Sequence, residues 1–227
     1  MTLAPDAVRS MFDRIAPVYD LMNRVMTVGL DGRWRRLTAE AAVRRGDRVL
    51  DAACGTGDLA VADLKAGAAR VTGLDFSEAM LARARRKTAS DPGALEWVLG
   101  DMLALPFADA TFDAATVGFG VRNVVDLELA LRELRRVLRP GGRLAILEIT
   151  QPRGPLKPFY SLWFDRIVPL LGRVLPGGAA YTYLPASVKR FPPAERLTEL
   201  LGEAAFTGVR FRPLAGSIVA LHTGEAA

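Results

Sequence analysis

The chain of 227 residues contains one cysteine, one histidine, two asparagines and one glutamine. Cys54 has no second cysteine to pair with, so nothing argues for an oxidising compartment. One histidine and one cysteine are too few for an ordinary transition-metal site, and no metal requirement is expected. The chain shows no basic-then-apolar leader and no run of about 18 apolar residues. A cytoplasmic location is expected, with contact at the inner face of the cell membrane left open. Lysine is scarce too, since only 4 of the 30 Lys and Arg residues are Lys. Arginine in place of lysine, with few amides, fits a thermophile or a GC-rich genome.

The remaining composition is that of a soluble globular protein, 50% hydrophobic and 24% charged, with a formal charge of +5. The arginines cluster at "RWRR", "RARRK" and "RELRRVLR". On predicted helices these read as solvated faces; a surface for anionic lipid or nucleic acid is the alternative, although no nucleic-acid partner is expected. The length suits a single α/β domain with a substantial core.

From residue 48 short apolar runs alternate with helical periodicity. "RVLDAA", "RVTGLD", "LEWVLGD", "FDAATVGFG" and "GRLAILEI" read as strands. Between them lie the helices "DLAVADLKAG", "SEAMLARARRKTA" (capped by Ser77) and "DLELALRELRRVLRPGG". This alternation predicts a doubly wound, mostly parallel Rossmann-like sheet with helices on both faces. Two β-rich runs around "RPLAG" are expected to pair as an antiparallel hairpin at its edge. Four stretches follow: a helical substrate cap over 1–47, a cofactor core over 48–150, an insertion over 151–193, and a closing helix and hairpin over 194–227. The insertion, rich in Pro, Gly and aromatics, is placed to roof an active site. Its Phe159, Tyr160, Trp163 and Phe164 read as core packing, or as a wall for an apolar tail.

In "DAACGTGDLA" the glycines allow a tight turn and close approach of a ligand above a helix N-terminus. Gly55-x-Gly57-x-x-Ala60, with Asp75 about 20 residues on, also satisfies the dinucleotide fingerprint. A nicotinamide site therefore stays open at this point. Asp101 after the third strand shifts the balance. An acid there can accept a hydrogen bond from an adenine amino group, and Asp51 can face an ammonium. Carboxylates at three successive strand ends suit a cationic adenosyl ligand and repel a pyrophosphate.

The order "VLDAACGTGD", "GLDFSEAML", "GDMLALPF", "FDAATVGFGVRNV", "LRELRRVLRPGGRLAILE" resembles the class I S-adenosylmethionine-dependent methyltransferases. "YDLMNRVMTVGLDGRW" and "RVLRPGGRLAILEIT" resemble the two signatures of the quinone-biosynthesis C-methyltransferases, that is, the demethylmenaquinone methyltransferases and their ubiquinone-pathway relatives. "YTYLPASVKRFP" and "GSIVALH" fit the same family. Thr27 and Asp31 stand where that family usually has serine and histidine, and Arg139 and Thr150 where it has lysine and serine. Asp31 changes the chemistry of its position and is assigned no catalytic role.

The resemblance implies a cofactor site of Thr56, Asp75 on the ribose with Phe76 beside it, Asp101 with Met102 at the adenine, and Gly118 near the methionine portion. The reading of the residues adds Asp51, Gly55 and Gly57. It also implies the reaction: S-adenosylmethionine methylates a ring carbon of a 2-polyprenyl hydroquinone (demethylmenaquinol to menaquinol), leaving S-adenosylhomocysteine. Ring carbon is a poor nucleophile until a neighbouring phenol, titrating near 10 when free, loses its proton. Arg122 is expected to hold the phenolate oxygen and Asn123 to orient it, unless Arg122 pairs with a helix acid. Tyr19 either lines the substrate pocket or simply packs. His222 sits on the last strand with a remote role, and Cys54 fills a tight turn. Three rivals stand beside this reading: a methyltransferase for another lipophilic or phenolic acceptor, a nicotinamide-dependent oxidoreductase, and an adenosyl-binding protein without turnover. A homodimer is compatible with all of them.

Overall fold

The structure, a computed structural model, describes residues 5–89, 93–150 and 178–227. The first strand, β1 (Arg48–Ala52), shows why a sheet forms there. Leu50 and Ala52 enter one core and Val49 the other, so alternate residues are buried on both faces. With β2 (Arg70–Asp75), β3 (Leu95–Leu99), β4 (Phe112–Gly118), β5 (Leu138–Ile149), β6 (Phe206–Leu214) and β7 (Val219–Ala226) it builds a sheet of order β3-β2-β1-β4-β5-β7-β6. Strands β1 to β5 run parallel; β7 is antiparallel to β5, and β6 to β7. The hairpin expected from the tail is present. Its second strand lies against β5 because β7 is nearly all buried, whereas β6 carries exposed arginines and threonine suited to an edge.

Helices α3 (Asp31–Ala42) and α4 (Asp58–Lys65) pack on one face. Helix α6 (Leu127–Val137) and the late helix Ala194–Glu203 pack on the other. Ser77 caps α5 (Glu78–Lys87) by accepting the Met80 N–H, as its sequence position predicted. Helix α6 ends earlier than its periodicity suggested. Leu138 already pairs with Phe112, the "RPGG" stretch bulges with Gly141 at φ +72°, and the ladder resumes at Arg143.

Within residues 5–42 three helices form: α1 (Pro5–Ile15), then, after a 3-10 turn (Ala16–Val18), α2 (Tyr19–Met26) and α3. Helices α7 (Gly178–Arg190) and α8 (Ala194–Glu203) follow β5 in the chain. The expectations for Phe159, Tyr160, Trp163 and Phe164, and for most of the insertion, fall outside the described residues. Two features shape the carboxyl edge of the sheet. Ala53 and Phe119, directly after β1 and β4, hold φ of +57° and +59°. Left-handed backbone at a residue with a Cβ costs about 1–3 kcal/mol and clusters at functional sites.

Candidate active site

Adjacent strands β1 and β4 end at the point where the sheet's strand order reverses, the usual ligand crevice of this architecture. A cavity of about 810 Å³ opens there. Gly55, Asp75, Phe76, Asp101, Met102 and Gly118 all line it. Asp75 is nearly fully buried, and its two oxygens accept the N–H groups of Gly55 (2.8 Å) and Ser77 (2.9 Å). Burial raises its pKa to about 6, and those N–H bonds limit the rise. Asp101 is exposed at the rim and accepts the Leu103 N–H at 2.9 Å. Among the described residues the lining holds two carboxylates and no lysine, arginine or histidine. Such a wall suits a cationic ligand and disfavours a diphosphate. It fits an adenosyl sulfonium in the donor set and in its apolar slot of Phe76, Met102 and Leu103.

Three residues expected in this site do not line this cavity. Gly57, at φ +83°, makes room for a neighbouring side chain: a Cβ there would sit 2.4 Å from the Trp97 ring. Thr56 donates its hydroxyl to Asp20 Oδ1 in α2 at 2.5 Å. Asp51 is fully buried and does not line the cavity; the Ala60 N–H of α4 faces its carboxylate without a well-aligned hydrogen bond.

Asp51 belongs to a buried acid pair. The strand period turns it, like Val49, toward α4, and its register partner on β4 is Thr116. The Thr116 hydroxyl donates to Asp63 of α4 at 2.7 Å, and Asp63 is fully buried. Burial pushes the Asp63 pKa up to about 8. Burial, then Asp63 and Asp75, push Asp51 well above the carboxylate range. Both acids bind protons more tightly folded than unfolded, so this part of the stability is full below about pH 4 and declines as pH rises toward 8. Asp63→Asn keeps an acceptor for Thr116 and removes one titration. The melting temperature of the wild type should fall between pH 5 and 8, and that of Asp63→Asn should fall visibly less. Parallel melting curves across that range would remove the pair from the account.

A second cavity of about 820 Å³ adjoins the first. Phe12, Tyr19 and Phe119 line both, so these rings stand at the passage between them. Its remaining wall is mostly apolar, with Met11, Ile15, Met22, Met26, Ile149 and Leu184. Polar groups are few: Arg122, Asn23, Thr27, Asp31 and Tyr183. The Arg122 side chain is 8% exposed and pairs with Glu148 of β5 at 2.8 Å, and its Nη1 donates to the Phe119 carbonyl at 2.5 Å. Burial opposes its charge, but Glu148 outweighs that and holds its pKa above the ordinary arginine value. The sequence leaves pairing with a helix acid as the alternative for Arg122; the acid it pairs with, Glu148, is on a strand. Asn123 lines the first cavity, and its Oδ1 accepts the Tyr183 hydroxyl at 3.2 Å.

An ionic chain ties the cap helices to the glycine loop. Lys87 binds Asp20 (3.0 Å) and Asp58, the first residue of α4. Arg35 of α3 pairs with Asp31 and reaches Asp58 at 3.7 Å. Burial works to raise the Asp20 pKa, but Thr56 and Lys87 outweigh it and lower it. Asp31, left without a catalytic role, is therefore a buried ion-pair acid that also borders the second cavity. His222 is remote as expected, with Nε2 2.9 Å from the Ala194 carbonyl and its ring stacked on Phe211. Cys54 is a buried free thiol. Glu148, Tyr183, Phe12, Phe119 and Asp63 were missed. For Glu148 a signal existed, an acid at the apolar end of "LAILEI".

The profile of the ubiE/COQ5 methyltransferase family matches residues 1–226. A Thermus thermophilus protein named demethylmenaquinone methyltransferase is 45% identical, covering 95% of this chain and 99% of its own. A Deinococcus radiodurans protein of the same name is 44% identical over 96% of this chain and 92% of its own. The Geobacter sulfurreducens ubiquinone/menaquinone biosynthesis C-methyltransferase UbiE is 42% identical over 99% of this chain and 90% of its own. Among solved structures, the cyclase SpnF superposes with a TM-score of 0.75 at 20% identity, over 99% of this chain and 97% of its own. A SAM-dependent methyltransferase from Thermotoga maritima superposes with 0.63 at 21% identity, over 96% of this chain and all of its own. At these identities the likeness concerns fold, and that a cyclase shares it illustrates why chemistry must be argued from the site. The fold, the cavity at the strand ends and the match along nearly its whole length place this chain in the ubiE/COQ5 methyltransferase family.

Proposed function

We propose that the protein transfers a methyl group from S-adenosylmethionine to a ring carbon of a 2-polyprenyl hydroquinone, converting demethylmenaquinol to menaquinol. The observation that carries this is the pair of cavities meeting at Tyr19, Phe12 and Phe119, one acid-lined and, among the described residues, without a cation, the other mostly apolar with Arg122 in its wall. The names of the relatives support the substrate class. When bound, the cofactor supplies a sulfonium methyl, held in this reading by Asp75, Phe76, Asp101, Met102, Gly55 and Gly118.

The chain's own residues act on the acceptor. The apolar wall of the second cavity takes the ring and the start of its tail and excludes water. Arg122 stabilises the phenolate oxygen, which lets charge move onto the ring carbon. Its pairing with Glu148 fixes the guanidinium's direction. Asn123, steadied by Tyr183, orients the same oxygen from the cofactor side, where it lines the first cavity, and Tyr19 packs at the passage between the two ligands. No metal takes part in this reading. A prenylated acceptor partitions into lipid, so the protein works at the inner face of the cell membrane. Among the described residues no helix is long and apolar enough to span a bilayer.

A deletion strain should accumulate demethylmenaquinone, and this chain should restore menaquinone in it. Normal quinone in the deletion strain, or accumulation of a different unmethylated species, would refute the assignment.

A further inference from the structure

Among the described residues six large apolar side chains are exposed, and four of them fall within residues 21–30: Leu21 (63%), Val25 (50%), Val28 (81%) and Leu30 (43%). Helix α2 is thus apolar on two sides. Its residues Tyr19, Met22, Asn23 and Met26 line the second cavity. Leu21 and Val25, spaced i, i+4, form the opposite face of α2, and Val28 stands exposed in the turn just beyond the helix. A helix at the surface of a soluble protein normally turns polar residues outward, and among the described residues nothing covers these outer side chains.

The corner after α2 presents the stripe rigidly. Val28 and Gly29 are both left-handed, at φ +53° and +75°, a conformation that β-branched residues rarely adopt. Main-chain bonds hold it there: Gly29 N–H to the Arg24 carbonyl (2.8 Å) and Leu30 N–H to the Thr27 carbonyl (3.0 Å). The Thr27 hydroxyl adds a bond to the Asn23 carbonyl at 2.7 Å. Val28 is thereby fixed at the tip. Arg24 and Arg33, which flank it in the chain, are exposed and neither is ion-paired among the described residues; Arg36, which shares a surface depression with Arg24 and Gly29, pairs with Glu40 at 3.8 Å. Residues 21–30 contain no acid.

We infer that this corner is the surface by which the protein docks on an anionic lipid bilayer, with Leu21, Val25 and Val28 entering the interfacial layer. An apolar stripe bordered by unpaired arginines is complementary to acyl chains beneath negative headgroups. The position adds to this, since the inner side of the same helix walls the cavity assigned to the acceptor. A prenyl chain could pass from lipid to cavity along α2 without crossing water. The membrane role rests on the proposed function; the location of the surface rests on exposure and charge.

The test is co-sedimentation with vesicles of phosphatidylcholine alone or mixed with phosphatidylglycerol, without acceptor or cofactor. Wild type should bind the mixed vesicles at least tenfold more tightly than the neutral ones, and binding should weaken as salt rises well above physiological strength. Leu21→Ser with Val28→Asp should lower binding to the mixed vesicles at least tenfold, and Arg24→Glu with Arg33→Glu should do the same. Melting temperature and S-adenosylhomocysteine affinity should stay at wild-type values. Variants that bind like wild type, or a wild type indifferent to anionic lipid, would overturn the inference. So would a wild-type dimer that Leu21→Ser with Val28→Asp makes monomeric without changing vesicle binding, which would assign the corner to a second copy. A lowered melting temperature with unchanged vesicle binding would assign it to packing within the chain. Because no acceptor is present, failure here leaves the methyl-transfer reading standing. Failure to methylate a detergent-dispersed hydroquinone would in turn leave the vesicle result intact.

Discussion

Asp75→Ala should lower the affinity for S-adenosylhomocysteine by a hundredfold or more while the protein stays folded. On the proposed reading the carboxylate accepts two ribose hydroxyls, each charge-assisted bond contributing about 1.5–3 kcal/mol. It also anchors the turn, because its oxygens accept the N–H groups of Gly55 and Ser77. The alanine variant loses both functions, so calorimetry should detect little binding. Burial raises the pKa of this acid to about 6, which predicts a pH signature. Wild-type affinity should drop as pH falls through about 6, where the carboxylate takes up a proton and becomes a poorer acceptor. Asp75→Asn should bind weakly at every pH and show no such step. Unchanged affinity in Asp75→Ala would remove the residue from the cofactor site.

Arg122→Met should strike both stability and turnover, and the two must be separated. Glu148 is almost wholly buried, and its side chain has Arg122 as ionic partner. Removing one member of a buried pair leaves the other charge uncompensated, at a cost of about 3–5 kcal/mol. For a chain of this size that corresponds to a loss of roughly 6–20 °C in Tm. Arg122→Met combined with Glu148→Gln removes the stranded charge and should recover most of that stability. Turnover should not recover: without a cation at the developing phenolate, kcat should remain lower by about 2–4 kcal/mol, more than KM rises. Arg122→Lys should keep part of the rate, because an ammonium supplies charge without the guanidinium's planar fork. A stable double variant with near wild-type kcat would reduce Arg122 to a structural partner of Glu148.

Strand and helix order, the hairpin and the Ser77 cap were legible because each is written in a local pattern: period two, period 3.6, or a capping residue before an apolar run. Gly55, Asp75, Asp101, Met102 and Gly118 were legible for a related reason. They follow strand ends, and in a parallel sheet all strand ends meet at one edge. Chain order alone therefore brings them to one cavity. Asp51 shares that position, yet its side-chain direction follows from which sheet face it occupies, and only packing decided that α4 would set Asp63 against it.

The same limit applies to every pairing that crosses the fold. Arg122 and Glu148 are 26 residues apart, and Asn123 and Tyr183 are 60 apart. No periodicity spans such distances. The sequence by itself determined the order of elements and the edge at which a ligand would sit, with Asp75 and Asp101 among the acids at that edge. Tertiary structure decided the rest: the second cavity, its arginine's partner, and the exposed apolar stripe on α2. Each of these depends on which helix covers which strand, a choice made by the free energy of the whole core and not by any local run of residues.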